Sequence, residues 1–467
     1  MVSSSVSAFA PTSQSCAPER GPVGSGAAGP LDNYAGFVTP PLRPGAAEGL
    51  SRRYRRRSIL WRESSLPRVR KCGRVRRGNV VGVRSGPTGA GFSGLVTCGS
   101  PWACPVCNAK IMAVRRLEIG AAVTEWMSRG GAVLFVTRTL RHHRGNRLSD
   151  LWDVLSGAWQ SLQNGSPWSR WRERLGLHGA LRVIETTTGD NGWHVHVHAL
   201  LFVAGTVSDD VAQSFAAWSA DRWGVLVQRR GLPAPLAIGQ DVRVVREVTD
   251  ASLAEYFTKL DQGGRSPADA MGFEMTSTQS KLARGSHKTV PVWDLLSRLE
   301  QGDADALDLW HEWERASKGR HPLRWSPGLR RDLLGVVPER QDEDIAAEVV
   351  GDEDLLWITA EGWSTCVAAP AIIPKILIAA YQSPELLREL LNAHLIDYLD
   401  PGSPSCPPST TTSAPPAGRP TLRRDRSVTT GSAPAKRPAS TTWTTKRPQP
   451  RWTPTPSTTG TPGPARS

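Results

Sequence analysis

The sequence predicts an α+β fold in which a central antiparallel sheet is flanked by helices, with a cysteine-rich segment before it and a helical region after it. Three observations carry that expectation. Between residues 132 and 262, apolar periodicities of two and about 3.6 follow one another in the order β, α, β, β, α, β, α. Two stretches, LRVIETTTG (181–189) and GWHVHVHALLFV (192–203), flank an Asn191-Gly192 dipeptide, a strong hairpin signal. Both chain ends lack any apolar period and are rich in Pro, Ser, Thr, Ala and Gly.

Each segment follows from its residues. Positions 1–50 form a low-complexity, disordered N-terminal segment, and 51–110 a basic, cysteine-rich one. Its end runs into NAKIMAVRRLEIGAAVTEWMSRGG, a helix stopped by Gly130 and Gly131. AVLFVTRTL (132–140) is an apolar, β-branched strand. RLSDLWDVLSGAWQSLQ (147–163) is a helix with Leu148, Leu151, Trp152, Leu155 and Trp159 on one face. Beyond the hairpin come a helix at 208–223, a strand at 239–248 and the helix TDASLAEYFTKLDQ at 249–262, so that 111–287 makes one α+β domain. Residues 288–400 read as mostly helical, with an acidic stretch at 341–356, and 401–467 as a disordered tail that buries too little apolar surface to offset its chain entropy.

The formal charge is +14, but residues 51–77 hold +11 and residues 401–467 hold +9, leaving the rest near −6. Positive charge concentrated in flanks is what phosphate-backbone contact requires, and Arg52, Arg53, Arg55, Arg56 and Arg57 are the densest run. No basic-then-apolar leader opens the chain, and the apolar run AIIPKILIAA (371–380) is too short to span a bilayer and contains Pro374 and Lys375, so a cytoplasmic, membrane-free protein is expected. Seven cysteines in such a chain do not form a disulfide framework. Cys72, Cys98, Cys104 and Cys107, the last three in CGSPWACPVC, have the composition of a four-thiolate structural Zn²⁺ site, despite the 25 residues between Cys72 and Cys98.

In the hairpin, His194, His196 and His198 alternate with Val195, Val197 and Ala199 and so share one face. If Asn191 and Gly192 make a two-residue turn, His198 faces Glu185; with a four-residue loop, His196 does. A three-residue loop would put Glu185 on the wrong face. Either even register sets two imidazoles and a carboxylate on one rigid face, the donor set of a divalent-metal site with open positions. Among five tyrosines, Tyr256 in AEYFTKL lies one helical turn from Lys259, just after the next strand. A phenol in that place can attack a phosphodiester and keep the bond energy as a phosphotyrosine.

In order, FVTRTL (135–140), GWHVHVHALLF (192–202) and LAEYFTKL (253–260) resemble the three motifs of the HUH endonuclease superfamily. With CGSPWACPVCNAKI upstream and SKLARGSHKTVPVWDLL downstream, residues 70–335 look most like the rolling-circle replication initiator (Rep) proteins of actinobacterial plasmids. The resemblance implies an HUH nuclease domain in which His196 and His198 hold Mn²⁺ or Mg²⁺ with Glu185 as third ligand, His194 standing at a position that varies among relatives. It implies Tyr256 as nucleophile and Lys259 as the charge beside the phosphoryl oxygens. The glutamate that some relatives place four residues before the tyrosine is Ser252 here, leaving Glu255 and Asp250 as candidate bases for the closing step. The partners implied are plasmid origin DNA, duplex at the recognition site and single-stranded at the nick, with host helicase and polymerase. An HUH transposase, or a zinc-dependent DNA-binding regulator without catalysis, remain the alternatives.

Overall fold

A computed structural model describes residues 45–86, 89–245, 289–336 and 338–401. All of them lie in one unit, Met1–Pro407. The N-terminal elements are α1 (Ala46–Glu63), α2 (Pro67–Lys71), β1 (Val81–Gly86), β2 (Gly89–Phe92) and α3 (Pro105–Ser128). The middle of the chain gives β3 (Ala132–Thr139), α4 (Leu148–Leu162), α5 (Gly165–Arg174), β4 (Leu177–Gly189), β5 (Gly192–Val203), α6 (Asp209–Gln228) and β6 (Gln240–Val245). After residue 288 come β7 (Val290–Pro291), α7 (Asp294–Glu300), α8 (Asp305–Ser317), β8 (Leu323–Trp325), α9 (Leu329–Leu334), α10 (Asp342–Ala347) and β9 (Glu353–Ile358). Helices α11 (Ala360–Ala368), α12 (Ile372–Gln382) and α13 (Pro384–Ala393) and the short β10 (Tyr398–Leu399) complete the described residues.

Every named strand pair is antiparallel, as the α+β expectation requires. The larger sheet has the order β6-β3-β5-β4-β7, with β8 also paired to β4. Its central strands are buried on both faces, because α4, α6 and α8 cover one side and α3 with α9 the other. Ala132, Leu134, Val136, Ile184, Val195, Val197, Ala199 and Leu201 point into the first core; Val133, Phe135, Leu181, Val183, Leu200 and Phe202 point into the second. The tryptophans of α4, α8 and the cysteine loop interlock in the first core, with Trp102, Trp152 and Trp313 ring centroids 5.2–5.3 Å apart.

The smaller sheet, in the order β10-β9-β1-β2, was not expected. Residues 353–358 lie at the end of the stretch read as acidic, yet their apolar members pair with β1 from the cysteine-rich segment, Val81 opposite Ile358 and Val83 opposite Leu356. Trp61 of α1 and the apolar face of α12 pack on this sheet. The apolar run at 371–380 is therefore core, and among the described residues no single helix is long and apolar enough to cross a membrane.

Helix α3 links the two halves. Its first turns carry Cys107 and Ile111, and its last ones Ile119, Val123 and Trp126 of the second core. Between them a buried ion network crosses: Glu118 accepts from Arg115 at 2.9 Å and from Arg330 at 2.7 Å, and Arg115 also reaches Asp342 at 2.9 Å. Taking the carboxylate away removes the countercharge that two buried guanidiniums share. Glu118→Ala is expected to cost about 3–5 kcal/mol in urea unfolding; a loss below about 1 kcal/mol would mean that solvent reaches these arginines.

A candidate metal centre on the sheet and a four-cysteine cluster

The metal face grows out of strand register. Gly189 pairs with Gly192 around a two-residue turn at Asp190 and Asn191, which sets Glu185 opposite His196 and Thr187 opposite His194. The turn thus lies one residue earlier than Asn191-Gly192, and it delivers the His196 pairing by a shorter loop than expected. Gly192 takes φ +82°, and a Cβ there would sit 3.0 Å from the Arg144 Cα, so both its backbone and the neighbouring loop demand glycine. On the other side β3 pairs with β5, Thr137 opposite His198 and Thr139 opposite His196.

Parity then does the rest. His196, His198, Glu185 and Thr137 share the face of Leu200, Val183 and Phe135, so the metal face is the polar continuation of the second core's apolar layer. Glu185 Oε2 stands 2.7 Å from His196 Nε2 and 2.9 Å from His198 Nε2. The His198 ring stacks on Phe135, with centroids 5.3 Å apart, and its Nδ1 lies 3.0 Å from the Thr137 hydroxyl. With Nδ1–H donated to Thr137, the His198 Nε2 lone pair is turned toward Glu185, the tautomer a metal ligand needs. The three donor atoms lie within 4.8 Å of one another. Cis ligands about 2.1 Å from an octahedral cation stand about 3 Å apart, so this donor set fits a small divalent ion.

His194 is not part of the triad. Its Nδ1 contacts His142 Nε2 at 2.9 Å, and His142 Nδ1 contacts the Asn191 carbonyl at 3.1 Å. A carbonyl only accepts, so His142 Nδ1 carries the proton there. Burial, then His196 and His142, push the His194 pKa down to about 4, keeping the ring neutral. Neither Thr137 nor His142 was singled out from the sequence. Thr137 has the right parity within FVTRTL, whereas nothing in the spacing of RHHRGNR marks His142 as a neighbour of the hairpin.

The four cysteines also converge. Cys72 Sγ lies 3.8 Å from Cys104 Sγ and 3.6 Å from Cys107 Sγ, and Cys98 Sγ lies 3.7 Å from Cys107 Sγ. Thiolates 2.3 Å from one tetrahedral zinc ion stand about 3.8 Å apart, so the spacing fits a single four-thiolate ion. All four are buried. Hydrogen bonds from Cys104, Cys72 and Cys98 hold the Cys107 thiol well below its usual range, which favours its ionised, metal-binding form.

The basic run is divided by its helix. Arg57 faces inward, buried. Arg56 pairs with Asp294, and Arg55 reaches Glu300 at 2.7 Å. Arg52 and Arg53 have no ion-pair partner among the described residues. Tyr256, Glu255 and Lys259 lie outside the described residues, as do Asp250 and Ser252.

The profile of a replication-protein family matches residues 93–259, a span that includes the metal triad, three of the four cysteines and Tyr256. The chain is 33% identical over 350 residues to Protein rep of Streptomyces lividans, covering 60% of this chain and 75% of that protein. It is 29% identical over 323 residues to a Neomycin resistance protein of Streptomyces cyanogenus, covering 60% of this chain and 66% of that one. No solved structure matches it.

If the triad binds metal, Mn²⁺ at 100 times its Kd raises the stability of the wild type by about 2.7 kcal/mol. In thermal melts Glu185→Ala is expected to lose that gain; a full Mn²⁺-dependent rise in the variant would exclude Glu185 as a ligand.

Proposed function

The chain belongs to the Rep family of replication proteins, and on that footing we propose that it initiates rolling-circle replication of a plasmid by nicking one strand of the origin. The observation that carries the proposal is the convergence of Glu185 Oε2 with the Nε2 atoms of His196 and His198 at the open end of a rigid sheet face.

A divalent cation, Mn²⁺ or Mg²⁺, held by these three side chains would polarise the scissile phosphate. The residues of the chain do the rest. Tyr256 Oη gives up its proton and attacks phosphorus, and the P–O3′ bond breaks. The upstream piece leaves as a 3′ alkoxide that takes a proton from water to become a hydroxyl, while the 5′ phosphate of the downstream piece stays on the tyrosine. The bond energy is retained, so a later 3′ hydroxyl can reverse the step and reseal the strand without ATP. Lys259 would balance charge on the phosphoryl oxygens, and Glu255 or Asp250 would take the phenolic proton or activate the closing nucleophile. Reach permits this arrangement: Val245 pairs with Val133, about 20 Å of strand from the level of the triad at Thr139, and the eleven peptide steps from Val245 to Tyr256 can span up to about 36 Å.

Cleavage of end-labelled single-stranded origin DNA in Mn²⁺ tests the chemistry. Wild type is expected to form a covalent 5′ adduct, and Tyr256→Phe and the His196→Ala, His198→Ala pair to lose at least about a thousandfold in rate. An adduct formed by Tyr256→Phe at the wild-type rate would move the nucleophile elsewhere, and intact DNA with folded, zinc-loaded wild type would leave a DNA-binding regulator as the reading.

Duplex binding falls to the basic helix surface. Arg52 is its exposed member without an ion-pair partner among the described residues, and Arg53 is half-buried beside it; both are read as phosphate contacts. Arg52→Ala is expected to weaken origin and unrelated duplexes alike and to reduce the slope of log K against log salt by about 1; a change confined to the origin sequence would make Arg52 a base reader instead.

A further inference from the structure

Two cations near the cysteine cluster, one buried and one half-buried, are used by neither the metal face nor the outer surface of α1. Arg57, 4% exposed, sits on the inner side of α1 with its guanidinium 4.4 Å from the Tyr54 ring centroid and 5.6 Å from that of Trp61. Trp61 donates its indole N–H to the Cys72 carbonyl at 2.9 Å. A Cβ on Gly73 would lie 2.1 Å from Arg57 Nη1, so the guanidinium is pressed against the backbone just after the first cysteine. Its Nε and Nη2 are buried without a hydrogen-bond partner among the described residues. Lys110 stands one helical turn beyond Cys107, with Nζ 2.7 Å from the Glu348 carbonyl and 3.3 Å from that of Ala346. Burial depresses the Lys110 ammonium, and Cys107, Glu348 and Cys72 oppose that.

A buried guanidinium with unmet donors is costly unless an anion faces it. Four thiolates around one divalent ion carry a net charge of −2, and two cations stand beside them. We propose that Arg57 and Lys110 are the countercharges of a four-thiolate zinc centre, and that this charge balance fastens the DNA-facing helix α1 to the cysteine loop. The inference rests on the reading of the cysteines as a zinc site. Under it, zinc sets how Arg52 and Arg53 are presented, while the Glu185–His196–His198 face is independent of it.

The test is the rate at which full-length, zinc-loaded protein releases zinc to excess chelator, read with a colour indicator. Arg57→Gln is expected to release zinc on the order of 10–100-fold faster than wild type, Lys110→Met to show a smaller acceleration, and Arg57→Lys to stay near wild type. Mn²⁺ affinity at the triad is expected to be unchanged in all three. Wild-type release from both Arg57→Gln and Lys110→Met would overturn the proposal, as would Arg57→Lys releasing as fast as Arg57→Gln, because shape and not charge would then matter. Should Arg57→Gln fail to fold, Lys110→Met, which leaves the core face of α1 intact, decides by the same measure. Wild type that holds no zinc, or whose cobalt-substituted form lacks thiolate-to-metal charge-transfer absorption, would refute the four-thiolate reading itself.

Discussion

The register of β4 against β5, and of β5 against β3, is the constraint on which the metal face depends. Strand side chains repeat every two residues, so a slip of one position would turn His196 and His198 toward α4 and set Val195 and Val197 beside Glu185 in their place. Both faces of the central strands are apolar along most of their length, which makes such a slip expensive everywhere at once. The polar triad is tolerated because it occupies the last rungs of an otherwise apolar layer. Phe135 backs His198 there, Thr137 meets its Nδ1, and the Glu185 carboxylate stands 2.7 and 2.9 Å from the two imidazoles. The same rigidity holds three donor atoms within reach of one ion without asking loops to order themselves.

Helix α3 extends that order to the N-terminal half. One end carries Cys107 of the four-sulfur cluster, the middle carries Arg115 and Glu118, which meets Arg330 of α9, and the far end packs Trp126 against the sheet. Charge is handled differently at the two metal-type sites. On the sheet, one carboxylate meets two imidazoles. At the cysteines four buried sulfurs converge, and under the proposed zinc reading their excess negative charge is what Arg57 and Lys110 oppose.

Much of this was legible in the chain because it is local. Alternation in HVHVHA identified the strand and the face of its histidines, and the CPVC spacing at a helix start marked the cysteines. Asp190-Asn191 and Asn191-Gly192 have nearly the same turn chemistry, so the chain left two even registers open. The observed turn at Asp190 and Asn191 gives the one that pairs His196 with Glu185, with Gly192 at φ +82° under Arg144. The smaller sheet was illegible for another reason: β1 and β2 are short and glycine-rich, and the partner that stabilises β1 is far along the chain. The arginine run shows the limit of composition. Arg57 follows Tyr54 by three residues and precedes Trp61 by four, a helical stripe that marks an inward position. Nothing local foretells that Arg55 and Arg56 meet Glu300 and Asp294.

The pairing of β1 with β9 also has a consequence for biosynthesis. Val81 and Ile358 are neighbours in the sheet but roughly 280 residues apart in the chain. At about 5–20 residues per second, the ribosome delivers β9 roughly 15 to 55 s after β1. Throughout that interval β1 keeps one hydrogen-bonding edge open, a template on which a wrong strand or a second nascent chain can pair, so correct assembly of the smaller sheet depends on that edge staying protected until β9 emerges.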